Sequence, residues 1–241
     1  MDIVADMHTH TVASTHAYST VREMVQAAGD MGLGFIAITD HAAGDTDGPH
    51  IWHFHNLHKA IPRELFGVRI IYGVEASVID YEGHLSFPEK ECAALDWVIG
   101  SLHGGMLTPG TLEENTAAYV RLAADPLVDV IGHPVSPSFP YDIETALRAF
   151  KAHDKPVEIN ESTLLWKNSE GMYRKIIPLC RRLEVPVIVG SDAHFFTAVG
   201  KFDNALRLLR EYDFPPELVV NSSPERILSR INRKKIIFPE L

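Results

Sequence analysis

Short apolar runs rich in valine and isoleucine alternate along the chain with longer stretches in which apolar residues recur every three or four positions. The short runs predict buried strands, and the three-to-four-residue period predicts amphipathic helices. Regular alternation of the two is typical of βα units arranged around a parallel sheet. The predicted strands cover residues 2–8, 35–41, 69–76, 97–103, 128–134, 156–162 and 186–194, with 219–221 as a candidate for a short eighth strand.

The predicted helices lie between these strands and after the last of them. They cover residues 20–32, 111–125, 143–153 and 169–184, followed by two closing helices at 203–212 and 223–231. Glu114 stands three residues after Thr111, as in a capping box, and Gly32 marks the end of the first helix. Seven strands are close to the number in a closed parallel barrel. An open doubly wound sheet is the alternative, although the first strand is not followed by GxGxxG.

Most predicted strands end in a side chain of a type that binds metal ions. The carboxyl ends of parallel barrel strands converge on one mouth, where the active sites of such barrels lie, so these side chains are expected to meet there. They are His8, His10, Asp40, His41, Glu75, His103, His133, Asp192 and His194. Residues i and i+2 of a strand share a face, so the HxH and DxH pairs can each aim two donors at one cavity. His16 follows in a loop that can fold back over the mouth.

Imidazole and carboxylate ligands without thiolates suit Zn²⁺, Mn²⁺ or Fe²⁺. Because these donors are too many for one ion, we expect two or three ions, with Glu75 as a bridge between a pair. Asp6 and Asp40 are expected to orient ligand imidazoles. The histidines within 50–58 are irregularly spaced at a predicted helix start, so we expect at least two of them to be exposed.

The composition is that of a soluble globular protein, and no linker or internal repeat divides the 241 residues, so we expect one domain spanning 1–241. A formal charge of −10 argues against general affinity for nucleic acid. The first ten residues lack the pattern of a secretory leader, and no apolar run reaches the roughly 18 residues of a membrane span, so a cytoplasmic location is expected. Cys92 and Cys180, without a CxxC spacing, predict two buried free thiols.

Seven motifs in a fixed order resemble those of the PHP (polymerase and histidinol phosphatase) family of metal-dependent phosphoesterases. They are DMHTHTVASTHAYS, AITDHA, GVEA, SLHGG, IGHP, EINES and GSDAH, and DFPPELVVNSSPERIL extends the likeness towards the C-terminus. Within this family, the chain is most similar to the YcdX-type phosphatases. The resemblance implies a distorted (β/α)7 barrel, similar to a TIM barrel, with a trinuclear metal site at the C-terminal ends of its strands.

The resemblance also implies how the ligands are shared. One ion would be held by His8, His10, Glu75 and Asp192, a second by Glu75, His103 and His133, and a third by His16, His41 and His194. Such a centre implies a phosphatase that hydrolyses small-molecule phosphate monoesters with a metal-activated hydroxide. Its catalytic side chains would be Glu75, Asp192 and His194, with Asp192 or a metal-bound water as the general acid. Zinc is the expected metal, with Mn²⁺ or Fe²⁺ as alternatives, and the family permits homo-oligomers.

Three positions depart from the pattern of the most similar relatives. A Gly-Gly pair follows His103, no glycine follows Pro134, and Glu161 occupies the place of an amide. Because all three would lie around the mouth, they bear on substrate choice more than on the metals. The sequence leaves open whether substrate contacts come from four further side chains, those of His50, His53, Lys167 and Arg174.

Three other functions compete with a monoester phosphatase. A PHP-type phosphodiesterase or nuclease would act on nucleic acid, which the acidic balance disfavours. A metal-dependent hydrolase of C–N bonds commonly has a bridging lysine at a strand end, and no predicted strand ends in lysine. A module that stores or senses metal would bind the ions without turnover.

Overall fold

Strands and helices alternate along the chain, as the hydrophobic pattern predicts. The computed structural model describes residues 1–166 and 169–237. The strands are β1 (Ala5–Asp6), β2 (Phe35–Ile38), β3 (Glu64–Leu65), β4 (Val68–Ser77), β5 (Trp97–Ser101), β6 (Val130–Ile131), β7 (Val157–Asn160) and β8 (Val187–Gly190). The helices are α1 (Val21–Asp30), α2 (Trp52–Ala60), α3 (Glu89–Ala94), α4 (Leu112–Ala124), α5 (Ile143–Ala152), α6 (Glu161–Leu164), α7 (Ser169–Leu183), α8 (Asp203–Glu211) and α9 (Pro224–Ile237).

Within the described residues, seven strands form one parallel sheet in the order β1-β2-β4-β5-β6-β7-β8. Each neighbouring pair in this order is parallel, and helices lie in the connections. The short strand β3 pairs with β4 in the antiparallel sense and was not expected from the sequence. The chain therefore forms a distorted (β/α)7 barrel, which confirms the predicted fold.

The first and last strands of the sheet meet along a seam that closes the barrel. Near the mouth, the backbone N–H of Asp192 donates to the carbonyl of His8, and the backbone N–H of His10 donates to the carbonyl of Ala193. Both distances are 2.9 Å. Further from the mouth, the fully buried side chain of Asn221 bridges the two strands. Its Nδ2 donates to the carbonyls of β1 and β8 at 2.8 and 2.7 Å, and its Oδ1 accepts from β8 at 3.1 Å. One amide side chain thus joins the two strands where they are not paired directly.

The eighth strand predicted at 219–221 is wrong. Val219 makes a single parallel bridge to Val187, and Val220–Ser222 form a 3₁₀ turn. The Asn221 side chain occupies the hydrogen-bonding positions that the backbone of an inserted strand would use, so no strand forms there. Of the seven other predicted strands, β4 is longer than predicted. The other six are shorter, because the polar residues at their carboxyl ends leave the regular ladder as they enter the mouth. β7, for example, ends at Asn160, and Glu161 begins α6.

Side chains of β4 alternate between two apolar layers. Ile70 and Tyr72 belong to the layer between strands and helices, whereas Ile71 belongs to a second cluster inside the barrel. We call this second group the inner cluster: Ala5, Met7, Ala37, Ile71, Trp97, Ile99, Val130, Ile188, Val220, Ile227 and Ile231. Because side chains on a strand repeat every two residues, Glu75 faces the same way as Ile71, nearer the carboxyl end. The barrel axis therefore runs from an apolar floor to a polar mouth.

Two local predictions about helix ends are confirmed. Thr111 and Glu114 form the capping box at the start of α4. Gly32 follows α1 with a φ of 74°, a left-handed conformation that glycine adopts without the clash of a Cβ atom.

Cys92 and Cys180 are both buried, as predicted, and neither forms a disulfide. No helix within residues 1–166 or 169–237 is long and apolar enough to cross a membrane.

Candidate metal centre

Glu75 lies at the centre of the barrel mouth and is 1% exposed. Three ring nitrogens lie 3.3–3.5 Å from its Oε2 atom, those of His8, His10 and His41. Two further ring nitrogens, from His103 and His133, lie 2.8–3.4 Å from the Oε1 atom of Glu75. The two oxygens of one carboxylate therefore face two different groups of imidazoles. This is the arrangement required of a carboxylate that bridges two metal ions.

His8, His10 and Asp192 form a compact group beside Glu75. The Nε2 atoms of the two histidines are 3.1 Å apart, and Asp192 Oδ1 lies 3.6 Å and 3.2 Å from them. Asp192 has a φ of 54°, in the left-handed region that costs energy for a residue with a Cβ atom. The strained backbone turns this carboxylate towards both imidazoles. The four side chains predicted to share one ion thus lie together.

His16, His41 and His194 form a looser group at the outer part of the mouth. The His16 ring centroid lies 4.4 Å from that of His194 and 5.1 Å from that of His41. The His16 side chain is 50% exposed, whereas His41 is buried. Asp47 joins this group, with its Oδ2 3.3 Å from His16 Nδ1 and 3.7 Å from His41 Nε2. With this group included, the structure brings all nine predicted ligands to one mouth.

Two of the histidines are oriented by partners on their Nδ1 atoms. Glu158 Oε1 lies 2.7 Å from His8 Nδ1, and Ser77 Oγ lies 2.8 Å from His103 Nδ1. A partner at this nitrogen fixes the ring and leaves Nε2 facing the cavity, as in the outer contacts of known metal sites. Gly190 provides the space for this pairing, because a Cβ atom there would lie 2.2 Å from Glu158 Oε1.

Asp40 contacts two of the predicted ligands through the hydroxyl group of Ser14. Its Oδ1 accepts hydrogen bonds from the backbone of Thr11 at 2.7 Å and from Ser14 Oγ at 2.8 Å. Ser14 Oγ in turn lies 3.4 Å from His10 Nδ1 and accepts from the backbone N–H of His41 at 3.1 Å. Asp40 therefore orients predicted ligands indirectly, in the role expected of it.

Asp6 has a different role from the one expected. Its two oxygens accept hydrogen bonds from the backbone N–H groups of Ser191 and Gly200, at 3.1 and 3.0 Å. Burial raises the pKa of this carboxyl to about 6, against the effect of these hydrogen bonds. Asp6 thus fixes the turn that precedes Asp192 and does not orient a ligand imidazole.

The two buried carboxylates at the centre remain ionised. Burial alone would raise the pKa of Glu75, but the charges of His8 and His103 outweigh it and hold this pKa well below its ordinary value. The pKa of Asp192 is likewise lowered, because His8 and a hydrogen bond with His10 outweigh burial.

Without a metal, protonated imidazoles balance these carboxylates. Against the effect of burial, Glu158 raises the pKa of His8. Glu75 likewise raises the pKa of His133 to about 9, against the effect of burial. A metal ion would take the place of those protons.

Two histidines of the mouth remain neutral. Burial lowers the pKa of His41 to about 3 and also lowers the pKa of His194. A neutral imidazole offers the lone pair that a metal ion binds.

The residues present fit divalent ions. Both ring nitrogens of His41 and the Nε2 atom of His194 are buried without a hydrogen-bond partner among the described residues. Buried polar atoms are normally paired, so these nitrogens call for a partner that the protein does not supply. Several sets of three donor atoms lie within 4.8 Å of one another, among them that of His8, His10 and Glu75 and that of His10, His41 and His194. Nitrogen and oxygen donors of this kind match zinc and similar ions.

The candidate ligands open into a cavity of about 790 Å³. Glu161, which departs from the family pattern, lines this cavity but is already engaged. Its oxygens accept from the backbone N–H groups of Asn204 and Ala205 at 3.1 and 2.9 Å, so it caps the first turn of α8. The departure at this position therefore supports a helix near the mouth.

The side chains left open as substrate contacts have other surroundings. His53 Nε2 lies 3.0 Å from Asp40 Oδ2, behind the predicted ligands. His50 is exposed, as is His58, in agreement with the expectation for segment 50–58. Arg174 pairs with glutamates on the surface of α7 and α8. Lys167 lies outside the described residues.

Comparison with known proteins finds a matching family model and relatives that align over most of their length. The sequence model of the PHP domain matches residues 6–162. A probable phosphatase of Acetivibrio thermocellus is 44% identical over 236 residues, which cover 98% of this chain and 98% of that protein. A probable phosphatase of Caldanaerobacter subterraneus subsp. tengcongensis is 43% identical over 236 residues, covering 97% and 92%.

Among solved structures, the barrel resembles the histidinol phosphate phosphatase of Lactococcus lactis in complex with zinc, L-histidinol and phosphate. The TM-score is 0.63, and the match covers 88% of this chain and 94% of that one. At 19% sequence identity, this similarity establishes a shared fold.

Proposed function

Because the chain belongs to the PHP domain family, we propose that it is a metal-dependent phosphatase that hydrolyses phosphate monoesters of small molecules. The observation that carries this proposal is the position of Glu75, whose two oxygens face separate groups of imidazoles at the barrel mouth. A family relationship alone would leave the chemistry unspecified. The bridging geometry adds a reason to expect more than one ion at the site.

We assign the ions to three sets of donors. The first set is His8, His10, Glu75 and Asp192, the second is Glu75, His103 and His133, and the third is His16, His41 and His194. Zinc is the expected metal, and the zinc in the L. lactis structure supports this choice. Asp47 stands beside two members of the third set, so it would add negative charge next to the most exposed ion.

When bound, divalent ions would offset the charge of the phosphoryl oxygens and lower the pKa of a water molecule. The chain's own groups prepare the site for this reaction. Glu158 pairs with Nδ1 of His8 and leaves its Nε2 atom directed at the cavity. Since its pKa is held low, Asp192 remains a carboxylate, and we assign it a ligand role in preference to that of the general acid.

The test combines metal analysis with a substrate panel on protein purified without a histidine tag. We expect about three equivalents of divalent metal per chain, and hydrolysis of p-nitrophenyl phosphate far faster than that of bis-p-nitrophenyl phosphate or a p-nitroanilide. A preference for the diester would replace the proposal by a phosphodiesterase, and cleavage of the anilide by a C–N hydrolase. Full metal content without turnover of any ester would indicate metal storage.

A further inference from the structure

Three apolar side chains remain exposed where the metal-centre cavity meets solvent. Leu165, Trp166 and Phe195 are 75%, 56% and 42% exposed, and all three line the cavity. We call this group the apolar rim. Large apolar side chains clustered at a cavity are available for a ligand, because each loses contact with water when the ligand binds.

The apolar rim is fixed to the same strand ends as the candidate ligands. Asn160, the last residue of β7, accepts from the backbone N–H of Thr163 at 2.8 Å and donates to Asp192 Oδ2 at 3.2 Å. The turn that starts there places Trp166, whose backbone N–H donates to the carbonyl of Thr163 at 3.0 Å. On the other side, Phe195 directly follows His194. The distance between the rim and the metal centre is therefore set by short, hydrogen-bonded segments.

The cavity has room for more than a phosphoryl group. Its volume of about 790 Å³ falls within the range of about 300 to 1,000 Å³ typical of cavities that hold whole small molecules. A phosphate ester bound with its phosphoryl group at the metal centre would extend its alcohol part along the apolar rim. The surface offered there by Trp166 and Phe195 is aromatic.

We infer that the site acts on phosphate monoesters whose alcohol part carries an aromatic ring, which packs against the apolar rim. The inference rests on the proposed function, since it names the class of substrate for that reaction. Trp166 is its main determinant, because an indole offers the largest flat surface of the three side chains.

Benzyl phosphate and ethyl phosphate provide the test, since both release simple primary alcohols and differ mainly in the ring. We expect kcat/KM to favour benzyl phosphate at least about tenfold, mostly through KM, as burial of a ring against apolar side chains predicts. Trp166→Ala should reduce this preference about fivefold or more, and Trp166→Phe should restore part of it. The matched control is Trp52→Ala, because Trp52 is 68% exposed on α2 and is not among the described residues that line the cavity. The preference should be unchanged in this control.

Binding of benzylphosphonate and ethylphosphonate, measured by calorimetry, separates this inference from the proposed function. Tighter binding of benzylphosphonate that is lost in Trp166→Ala supports the ring site even if no ester is hydrolysed, an outcome that would contradict only the phosphatase. Equal kcat/KM for the two esters in the wild type would overturn the inference and leave the phosphatase intact. An unchanged preference in Trp166→Ala would overturn it as well.

Discussion

The two ends of the barrel interior differ completely in chemistry although the same strands build both. The inner cluster consists only of apolar side chains, whereas the mouth brings five imidazoles to within 3.5 Å of one carboxylate. On β4 the change takes four residues, from Ile71 in the cluster to Glu75 in the mouth. The difference indicates a division of roles along each strand. The first part of each strand specifies the fold, and the carboxyl end of the strand carries the chemistry.

The strongest test of this division is Glu75→Gln, which keeps the side-chain size and removes the charge. We expect kcat/KM for a phosphate monoester to fall by about a thousandfold or more, together with the loss of bound metal. The free energy of unfolding of the metal-free protein should also decrease, because the ionised carboxylate is paired with buried imidazoles that would lose their partner. Urea titration and metal analysis measure both effects. Full activity with full metal content would show that the mouth is not the catalytic centre.

The reciprocal change is Ile71→Ala, on the same face of the same strand. It should lower the free energy of unfolding by about 2–5 kcal/mol, because it leaves a cavity in a fully packed cluster. Metal content per folded chain should stay at the wild-type value. Ile71→Val provides the milder control, at about 0.5–1.5 kcal/mol. If Ile71→Ala lost its metal while keeping its stability, the two ends would not be separable.

Glu158→Gln tests whether the contacts behind the ligands tune the mouth. The charged partner of His8 Nδ1 would be lost, so metal affinity should fall about 10–100-fold, as is usual for such partners. Competition with a chelator measures the affinity. Glu113→Gln, at an exposed position of α4, is the matched control and should leave the affinity unchanged. An affinity equal to that of the wild type in Glu158→Gln would show that the 2.7 Å contact does not orient His8.

The smallest expected effect concerns the reactivity of Cys180, which lies in the apolar layer between strands and helices. Burial raises the pKa of the Cys180 thiol above its ordinary value, so the thiolate that reacts with alkylating reagents does not form in the folded protein. We expect no labelling by iodoacetamide at pH 8 until the chain unfolds, and faster labelling in Ile71→Ala than in the wild type. Mass spectrometry follows both. Rapid labelling of Cys180 in the native wild type would show that this layer opens locally.

The sequence predicted where the side chains of the mouth come together, because strand ends are easy to recognise in this fold. Once a run of apolar residues is recognised as a parallel strand, the position of a following His10, Glu75 or His133 follows from the geometry of the barrel. The contacts behind the ligands were harder to predict. Glu158 carries a usable signal, since it is an acidic residue in an apolar strand, but its pairing with His8 spans 150 residues. Asp47 lies in an irregular loop without periodicity.

The predicted strand at 219–221 failed for a related reason. Val219 and Val220 favour a strand by local preference, and both are buried. The conformation of this segment is instead set by Asn221, whose hydrogen bonds join residues more than 30 positions away. Local propensity is a weak guide where a single long-range polar contact determines the backbone.

The amide of Asn221 also bears on the order in which the barrel can close as the chain is synthesised. Synthesis proceeds from the N-terminus at about 5–20 residues per second, so β1 and the two histidines that follow it emerge well before β8 and Asn221. Until residue 221 has emerged, the part of the seam away from the mouth lacks its bridge, and only the backbone hydrogen bonds near the mouth can join the two sides. His8 and Asp192 can come together only after β8 has been synthesised, since they follow the first and last strands of the sheet. Closure of the barrel is therefore expected to be a late step in the folding of these strands.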